Sequence, residues 1–280
     1  MTNEDYFSDL NEEERDIIVN KGTETPFSGK YNNHYDAGVF ICRACKNPLY
    51  ESNSKFDSGC GWPSFDDEIF GSISRHKDFS GGRERTEICC NKCGGHLGHV
   101  FCGEKITEKD TRHCVNSLSI QFKKYNNLSK IYLGAGCFWT VDAIFSNIKG
   151  VYMCQSGYMG GNVVNPQHDE VRSGKTNHVE VVEIFFDEEI ISLDGLLKIF
   201  WDNFNPKNQN RRISDIVSQY IFAIYYNKDE QKKVIFNSIN SIQKKWNQLI
   251  NIQIKKSGDF FRAEEHHQRY FMKNKINFRS

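Results

Sequence analysis

The chain lacks an excess of either charge, an apolar run of spanning length, an internal repeat and a low-complexity tract. Its 280 residues hold 36 basic and 36 acidic side chains. No net field therefore draws it to a phosphate backbone or an anionic bilayer, and neither nucleic acid nor membrane is an expected partner. The opening Met1-Thr2-Asn3-Glu4-Asp5 is acidic and lacks the basic and apolar parts of an export signal, from which a cytoplasmic location is expected. Cysteine, by contrast, is plentiful. Ten are present, and in a reducing compartment such thiols serve metal binding or redox chemistry rather than a disulfide scaffold.

A chain of this length is expected to build two cores. Eight cysteines fall between Cys42 and Cys114, and Cys137 and Cys154 follow. The stretch Lys123 to Lys130 is polar and aperiodic, which places a first domain at 1–124, a linker at 125–130 and a second domain at 131–280. In the first, Gly38-Val39-Phe40-Ile41 and Ser117-Leu118-Ser119-Ile120-Gln121-Phe122 alternate as strands do, after one helix over 12–19, so a mainly β, zinc-binding domain is expected. In the second, strand-like segments at 131–133, 151–158, 179–186 and 220–226 alternate with helical spacing over 138–148, 193–204 and 229–249, which gives an α+β domain with a mixed sheet.

Cys42-x-x-Cys45 and Cys90-x-x-Cys93 set two thiols on each of two tight turns, the arrangement with which tetrahedral Zn²⁺ clamps separate loops. Cys89 also precedes Cys93, but Cys90 repeats the spacing of the first pair. A site closed by four thiols leaves no open position, so catalysis needs another cysteine. Among Cys60, Cys102 and Cys114, the last sits beside Arg112 and His113, and positive neighbours lower a thiol pKa. In the second domain Gly134-Ala135-Gly136 precedes Cys137 at the start of a helix, where unpaired amides and the helix dipole favour a thiolate. The same glycines lack the third glycine and the basic residue of a nucleotide motif.

Further strings carry a resemblance. Gly22-Thr23-Glu24-x-Pro26-Phe27-Ser28-Gly29, the two CxxC pairs, Ser58-Gly59-Cys60-Gly61-Trp62-Pro63-Ser64-Phe65, Arg85-Thr86-Glu87, His96-Leu97-Gly98-His99-Val100-Phe101 and Arg112-x-Cys114-x-Asn116-Ser117 together resemble a B-type methionine sulfoxide reductase. The resemblance implies that Cys114 attacks, Cys60 resolves, Trp62 packs the substrate methyl group with Arg112 nearby, and His96, His99 and Asn116 line the sulfoxide site. Cys102 stands where that family usually has an acidic residue, which leaves Arg112 without that partner and makes Cys102 an alternative resolving thiol.

Gly134-x-Gly136-Cys137-Phe138-Trp139, Gly157-Tyr158-x-Gly160-Gly161, Asn165-Pro166, Glu170-Val171-x-Ser173-Gly174, His178-x-Glu180, Asp215-x-x-x-Gln219-Tyr220 and Ala263-Glu264-x-x-His267-Gln268-x-Tyr270 are similar to A-type methionine sulfoxide reductases. The similarity implies Cys137 as nucleophile, Phe138 and Trp139 as the methyl pocket, Glu170 as proton donor, and Tyr158, Tyr220 and Asp215 around the sulfoxide oxygen. It also implies the S epimer for this domain and the R epimer for the first. Sulfoxide oxygen leaves only when protonated, and the resulting sulfenic acid is returned to thiol by a second thiol or an external dithiol, with thioredoxin the expected partner. No cysteine follows Cys154 in this sequence. In an extended run Cys154 and Tyr158 share a face roughly 13 Å apart, beyond the about 7 Å that a disulfide spans. Direct recycling of Cys137 by an external thiol is therefore expected, with Cys154, Cys89 and Cys102 as rival resolving thiols. A zinc ribbon that binds nucleic acid or protein would leave Cys137 without a task, and a thiol redox sensor or peroxidase has no need of a Trp and Phe pocket.

Overall fold

The computed structural model describes residues 6–80, 82, 84–204, 221–245 and 251–276 and divides the chain into two units, Met1–Asn127 and Leu128–Ser280. In the first unit α1 (Glu12–Ile18) starts at Asn11, whose side chain accepts from the Glu14 amide while the Glu14 carboxylate accepts from the Asn11 amide. That exchange satisfies two N–H groups that helix geometry leaves over. Strands β1 (Gly38–Cys42), β2 (Pro48–Glu51), β3 (Lys55–Phe56), β4 (Ser64–Phe65), β5 (Ile73–Asp78), β6 (Arg85–Cys90), β7 (His96–Cys102), β8 (Thr111–Val115) and β9 (Ile120–Lys124) follow. Among the described residues they form one sheet in the order β2-β1-β9 and another in the order β3-β4-β8-β7-β6-β5, with antiparallel neighbours throughout. Phe40, Leu49, Tyr50, Phe65, Ile88 and Leu97 fill the core. The strand expected from Ser117 begins only at Ile120. The buried Glu24 carboxylate takes the amides of Ser117 and Leu118, which holds Ser117–Ser119 in a 3₁₀ turn instead.

The second unit runs β10 (Ser129–Ala135), α2 (Phe138–Phe145), β11 (Val151–Met159), α3 (His168–Arg172), β12 (Val179–Phe186), α4 (Leu193–Asn203), β13 (Phe222–Tyr226), α5 (Asp229–Lys245), β14 (Ile252–Lys256), β15 (Phe260–Arg262) and α6 (Tyr270–Lys273). Its sheet has the order β14-β13-β10-β12-β11-β15, with β13 and β14 parallel and the other pairs antiparallel. Period-two alternation along β12 splits two apolar layers. Val182, Ile184 and Phe186 join α2 and α4 in the larger core, and Val179 and Val181 pack with Tyr132, Met159 and Tyr225 on the other face. Ser129 and Lys130, assigned to a linker by their polarity, pair with Phe186 and Phe185 and belong to β10. Helix α2 stops at Phe145, earlier than the expected 148, and the chain turns at Gly150 with φ 94° into β11. No described helix is long and apolar enough to cross a membrane.

Candidate active sites

The two CxxC turns are built alike. In the first, Lys46 N donates to Cys42 O and Cys42 N to Asn47 O; in the second, Gly94 N donates to Cys90 O and Cys90 N to Gly95 O. Lys46 and Gly94 both take positive φ to close the turn. The turns face each other, with Cys42 Sγ 3.7 Å from Cys93 Sγ and Cys45 Sγ 3.5 Å from Cys90 Sγ. Metal–sulfur bonds of about 2.3 Å at tetrahedral angles separate sulfurs by roughly 3.8 Å, so the four thiols fit one structural metal ion. Hydrogen bonds among the four thiols hold Cys90 and Cys93 below the ordinary range and push Cys42 and Cys45 above it, so the cluster keeps protons that a metal ion would displace. Strand parity turns Cys89 to the opposite face of β6, away from this cluster.

On that opposite face register assembles a second group. Ser64 on β4, Cys114 on β8, His99 on β7 and Glu87 on β6 stand directly across from one another in consecutive strands. His96, three residues before His99, would face away in a regular strand. A bulge shifts the pairing from Ile88 with Gly98 to Cys89 with His96, and both imidazoles end on one face with ring centroids 5.7 Å apart. Gly98 takes φ 153°, and a Cβ there would strike the Cys114 carbonyl, so only glycine lets β7 lie this close to the cysteine. Cys60 reaches the group from the loop before β4, with its Sγ 3.7 Å from Cys114 Sγ.

The electrostatics differ from expectation at His113, at Cys114, whose pKa is raised and not lowered, and at Arg112. His113 was expected as a cation beside Cys114. It points instead into the core, buried with Nδ1 3.1 Å from the Tyr50 hydroxyl and Nε2 beside Arg75, and burial lowers its pKa to about 4. Arg112 remains as the nearby cation that pulls Cys114 down. Within the thiol pair the shared hydrogen bond holds Cys60 down at about 4, with help from Ser58 and Ser64, and pushes Cys114 up, so the pair carries one proton between two sulfurs. Arg112 has a partner after all. Its Nε and a terminal nitrogen grip the Glu104 carboxylate at 2.7 and 2.8 Å, and its guanidinium lies over the Phe101 ring.

His99 Nε2 lies 2.7 Å from Asp78 Oδ2, and His96 Nδ1 lies 2.7 Å from Glu87 Oε1. Trp62 Nε1 donates to Glu24 O. Asn116 uses both ends of its side chain as a brace, accepting from Glu24 N and donating to Leu97 O. Cys102 is exposed at the far end of β7, opposite Thr111.

In the second unit Cys137 is the N-cap residue of α2. Burial pushes its thiol up to about 11, with the Glu180 carboxylate adding to the shift, and the Trp139 and Thr140 amides oppose it. The thiolate expected from the helix terminus alone is thus outweighed by desolvation. Glu180 belongs to the helix-facing side of β12 with Val182, stands opposite Tyr158 and is 1% exposed. Its Oε2 accepts from Phe138 N at 3.2 Å, and burial pushes its pKa up to about 7. Glu170, the expected proton donor, is exposed and caps α3 by accepting from Gln167 N. Sequence reading missed Glu180 although it quoted His178-x-Glu180. The signal was a carboxylate on the apolar face of a strand.

Around Cys137 and Glu180, His168 Nε2 lies 3.8 Å from Glu180 Oε1, and Tyr158 donates to Glu264, which also accepts from His168 N. Phe138 is buried beneath them. Trp139 stacks on Tyr270 with centroids 3.6 Å apart and donates to His267 Nδ1. Asp215 and Tyr220 lie outside the described residues.

Comparison with known proteins divides the chain at the same place. The SelR domain model matches residues 10–124, and the peptide methionine sulfoxide reductase model matches 129–280. Over 147 residues the chain is 44% identical to peptide methionine sulfoxide reductase MsrA of Methanococcus maripaludis, a match that spans 52% of this chain and 94% of that protein. Over 132 residues it is 50% identical to peptide methionine sulfoxide reductase MsrB of Teredinibacter turnerae, spanning 46% of this chain and 96% of that protein. The fold is similar to reduced Mxr1 from Saccharomyces cerevisiae, with a TM-score of 0.50 and 25% identity over 55% of this chain and 90% of that one. With each unit matched over nearly the full length of such relatives, the chain belongs to the peptide methionine sulfoxide reductases, a SelR-type unit followed by an MsrA-type unit in one enzyme that reduces methionine sulfoxide and so repairs oxidised protein.

Proposed function

We propose that the two units divide the substrate by chirality, residues 1–124 reducing the R epimer at Cys114 and residues 129–280 the S epimer at Cys137. The observation that carries this reading is the difference in acid supply at the two sulfurs. Cys137 lies beside the buried carboxyl of Glu180, whose pKa near 7 keeps a proton at hand, whereas Cys114 stands opposite His99 in a row of imidazoles. Two sites built on unrelated scaffolds with different acids beside the reacting thiol suit two enzymes, one for each configuration at sulfur.

In each unit a thiolate attacks the sulfoxide sulfur, and the acid protonates the departing oxygen, which passes to the cysteine as sulfenic acid while methionine leaves. Glu180 takes the donor role first assigned to Glu170. In the first unit Cys60, 3.7 Å away, condenses with the Cys114 sulfenic acid, expelling water and leaving a disulfide. Thioredoxin or another dithiol reduces that disulfide, and at Cys137 one external thiol condenses with the sulfenic acid, expelling water, before a second releases Cys137 from the mixed disulfide and leaves as the oxidised reductant. The four thiols at Cys42, Cys45, Cys90 and Cys93 hold a structural Zn²⁺, which supplies folding free energy to the first unit and takes no part in the reaction. The test is reduction of resolved epimers of a methionine sulfoxide peptide. Cys114→Ser abolishes turnover of the R epimer and spares the S epimer, and Cys137→Ser does the reverse. Loss of both activities from either change refutes the division.

A further inference from the structure

The face of β6 and β7 that carries the imidazoles also holds a set of metal-ligating atoms outside the four-thiol cluster, one of them on His96, which the resemblance places at the sulfoxide site. Glu87 and Cys89, two residues apart on β6, face the same way, and the bulge sets His96 of β7 directly across from Cys89. One ligand atom from each of the three lies within 4.8 Å of the other two, and all three residues are buried. The Cys89 thiol hydrogen-bonds Glu87, and His96 Nδ1 lies 2.7 Å from the same carboxylate. His96 is 2% exposed, and its Nε2 has no partner. A thiol, an imidazole and a carboxylate thus converge in a buried place, hydrogen-bonded to one another and, through Glu87, to Lys21; the unpartnered nitrogen of His96 is not the one that meets Glu87.

We propose that Glu87, Cys89 and His96 form a second metal site, distinct from the four-thiol cluster, for a thiophilic divalent cation such as Zn²⁺. The donor set is the mixed sulfur, nitrogen and oxygen kind that such ions accept. On binding, the Cys89 thiol releases its proton, Glu87 stays ionised, and the neutral imidazole gives the lone pair of its ion-facing nitrogen and keeps its proton on the other. The ligands then carry two negative charges, which match the dication. Lys21 Nζ bonds Glu87 Oε2 at 2.8 Å and is largely exposed, so it leaves the other oxygen to the ion while its charge weakens binding. Three protein ligands leave a fourth position to water, so the site is exchangeable where the four-thiol cluster is closed.

The test uses the reduced full chain loaded with zinc and dialysed to its tight-binding content, then titrated with Co²⁺ and followed by the thiolate-to-cobalt charge-transfer absorption. The expected result is uptake of one Co²⁺ per chain with zinc retained. Cys89→Ala loses that band with its zinc content unchanged, and Glu87→Gln weakens cobalt binding at least tenfold. Retained zinc in the Cys89→Ala protein shows that the first unit is folded, and should that variant lose its zinc, Glu87→Gln decides. Failure of the zinc-loaded wild-type chain to take up Co²⁺, or an undiminished band in Cys89→Ala, overturns the proposal. Absence of zinc before cobalt is added would instead refute the reading of the four-thiol cluster.

Discussion

Glu180→Gln separates catalysis from packing in a way that few substitutions in this molecule can. Glutamine keeps the shape of the side chain and the oxygen that accepts from Phe138 N, but removes the ionisable proton. Because burial raises the carboxyl from 4.5 to about 7, the folded unit binds this proton more tightly than the unfolded chain does. Its contribution to stability is full below about pH 4.5 and is lost as pH rises through 7. A shift of this size corresponds to about 3 kcal/mol, so above pH 7 glutamine relieves that cost and raises the melting temperature of the second unit by roughly 6–12 °C. The gain shrinks at pH 5.

Activity moves the opposite way. Without the proton donor, S-epimer turnover falls by about 10²–10⁴-fold, and the wild-type decline of turnover as pH rises through 7 disappears from what remains. Removing the Glu180 charge also lowers the Cys137 pKa from about 11, so alkylation by iodoacetamide at pH 8 speeds up, tenfold for each unit. The assay set is calorimetry at pH 5 and 8, chiral sulfoxide turnover, and thiol alkylation. A glutamine variant within tenfold of wild-type turnover and with the wild-type pH dependence would refute the assignment of Glu180 as the acid.

Three further outcomes test the first unit. Cys93→Ser should release the metal and unfold this unit while S-epimer turnover persists, since a structural zinc contributes on the order of 10 kcal/mol, comparable with the whole stability of a domain; elemental analysis and the epimer assay read both effects. Gly98→Ala must accommodate positive φ and a clash with the Cys114 carbonyl, so it should destabilise the unit by about 1–3 kcal/mol or more and depress R-epimer turnover with it, as denaturant titration and the epimer assay would show. Glu104→Gln breaks the bidentate grip on Arg112 and should lower kcat/KM for the R epimer by about tenfold without loss of metal.

Where residue type and spacing alone specify geometry, the sequence was readable. Two CxxC pairs predicted two matching turns, and helical spacing after Cys137 predicted a helix that the cysteine caps. What escaped depends on register, which local patterns do not encode. His113 neighbours Cys114 in the chain but faces the core, because successive strand residues alternate. His96 and His99 share a face only through a bulge that neither residue announces. Glu170 lay in a quoted motif as an apparent acid, yet its place at the head of a short helix commits it to capping, while Glu180, ten residues on, is carried into the core by the alternation of β12. Polarity misled at Ser129 and Lys130, whose backbone pairing, not their side chains, decides that they are strand.

The two cysteine sites also show why a thiol can be made reactive without being made acidic at rest. Cys114 shares a proton with Cys60, so withdrawal of that proton by the neighbour is built into the pair. Cys137 has no such neighbour, and its site favours the neutral thiol and the neutral carboxyl together: desolvation raises both, and each charge would raise the other. A sulfoxide entering this place changes the balance, because its oxygen can take the Glu180 proton just as the sulfur meets the thiol, so charge is needed only at the moment of bond exchange. The same desolvation bears on regeneration. Cys154 lies on β11 opposite Ile184, four residues before the Tyr158 that faces Glu180, and burial pushes its thiol far above the ordinary range. A buried, protonated thiol four residues of strand before Tyr158, roughly 13 Å along β11, is a poor nucleophile, which supports the proposal that a thiol from solution takes the sulfenic acid at Cys137.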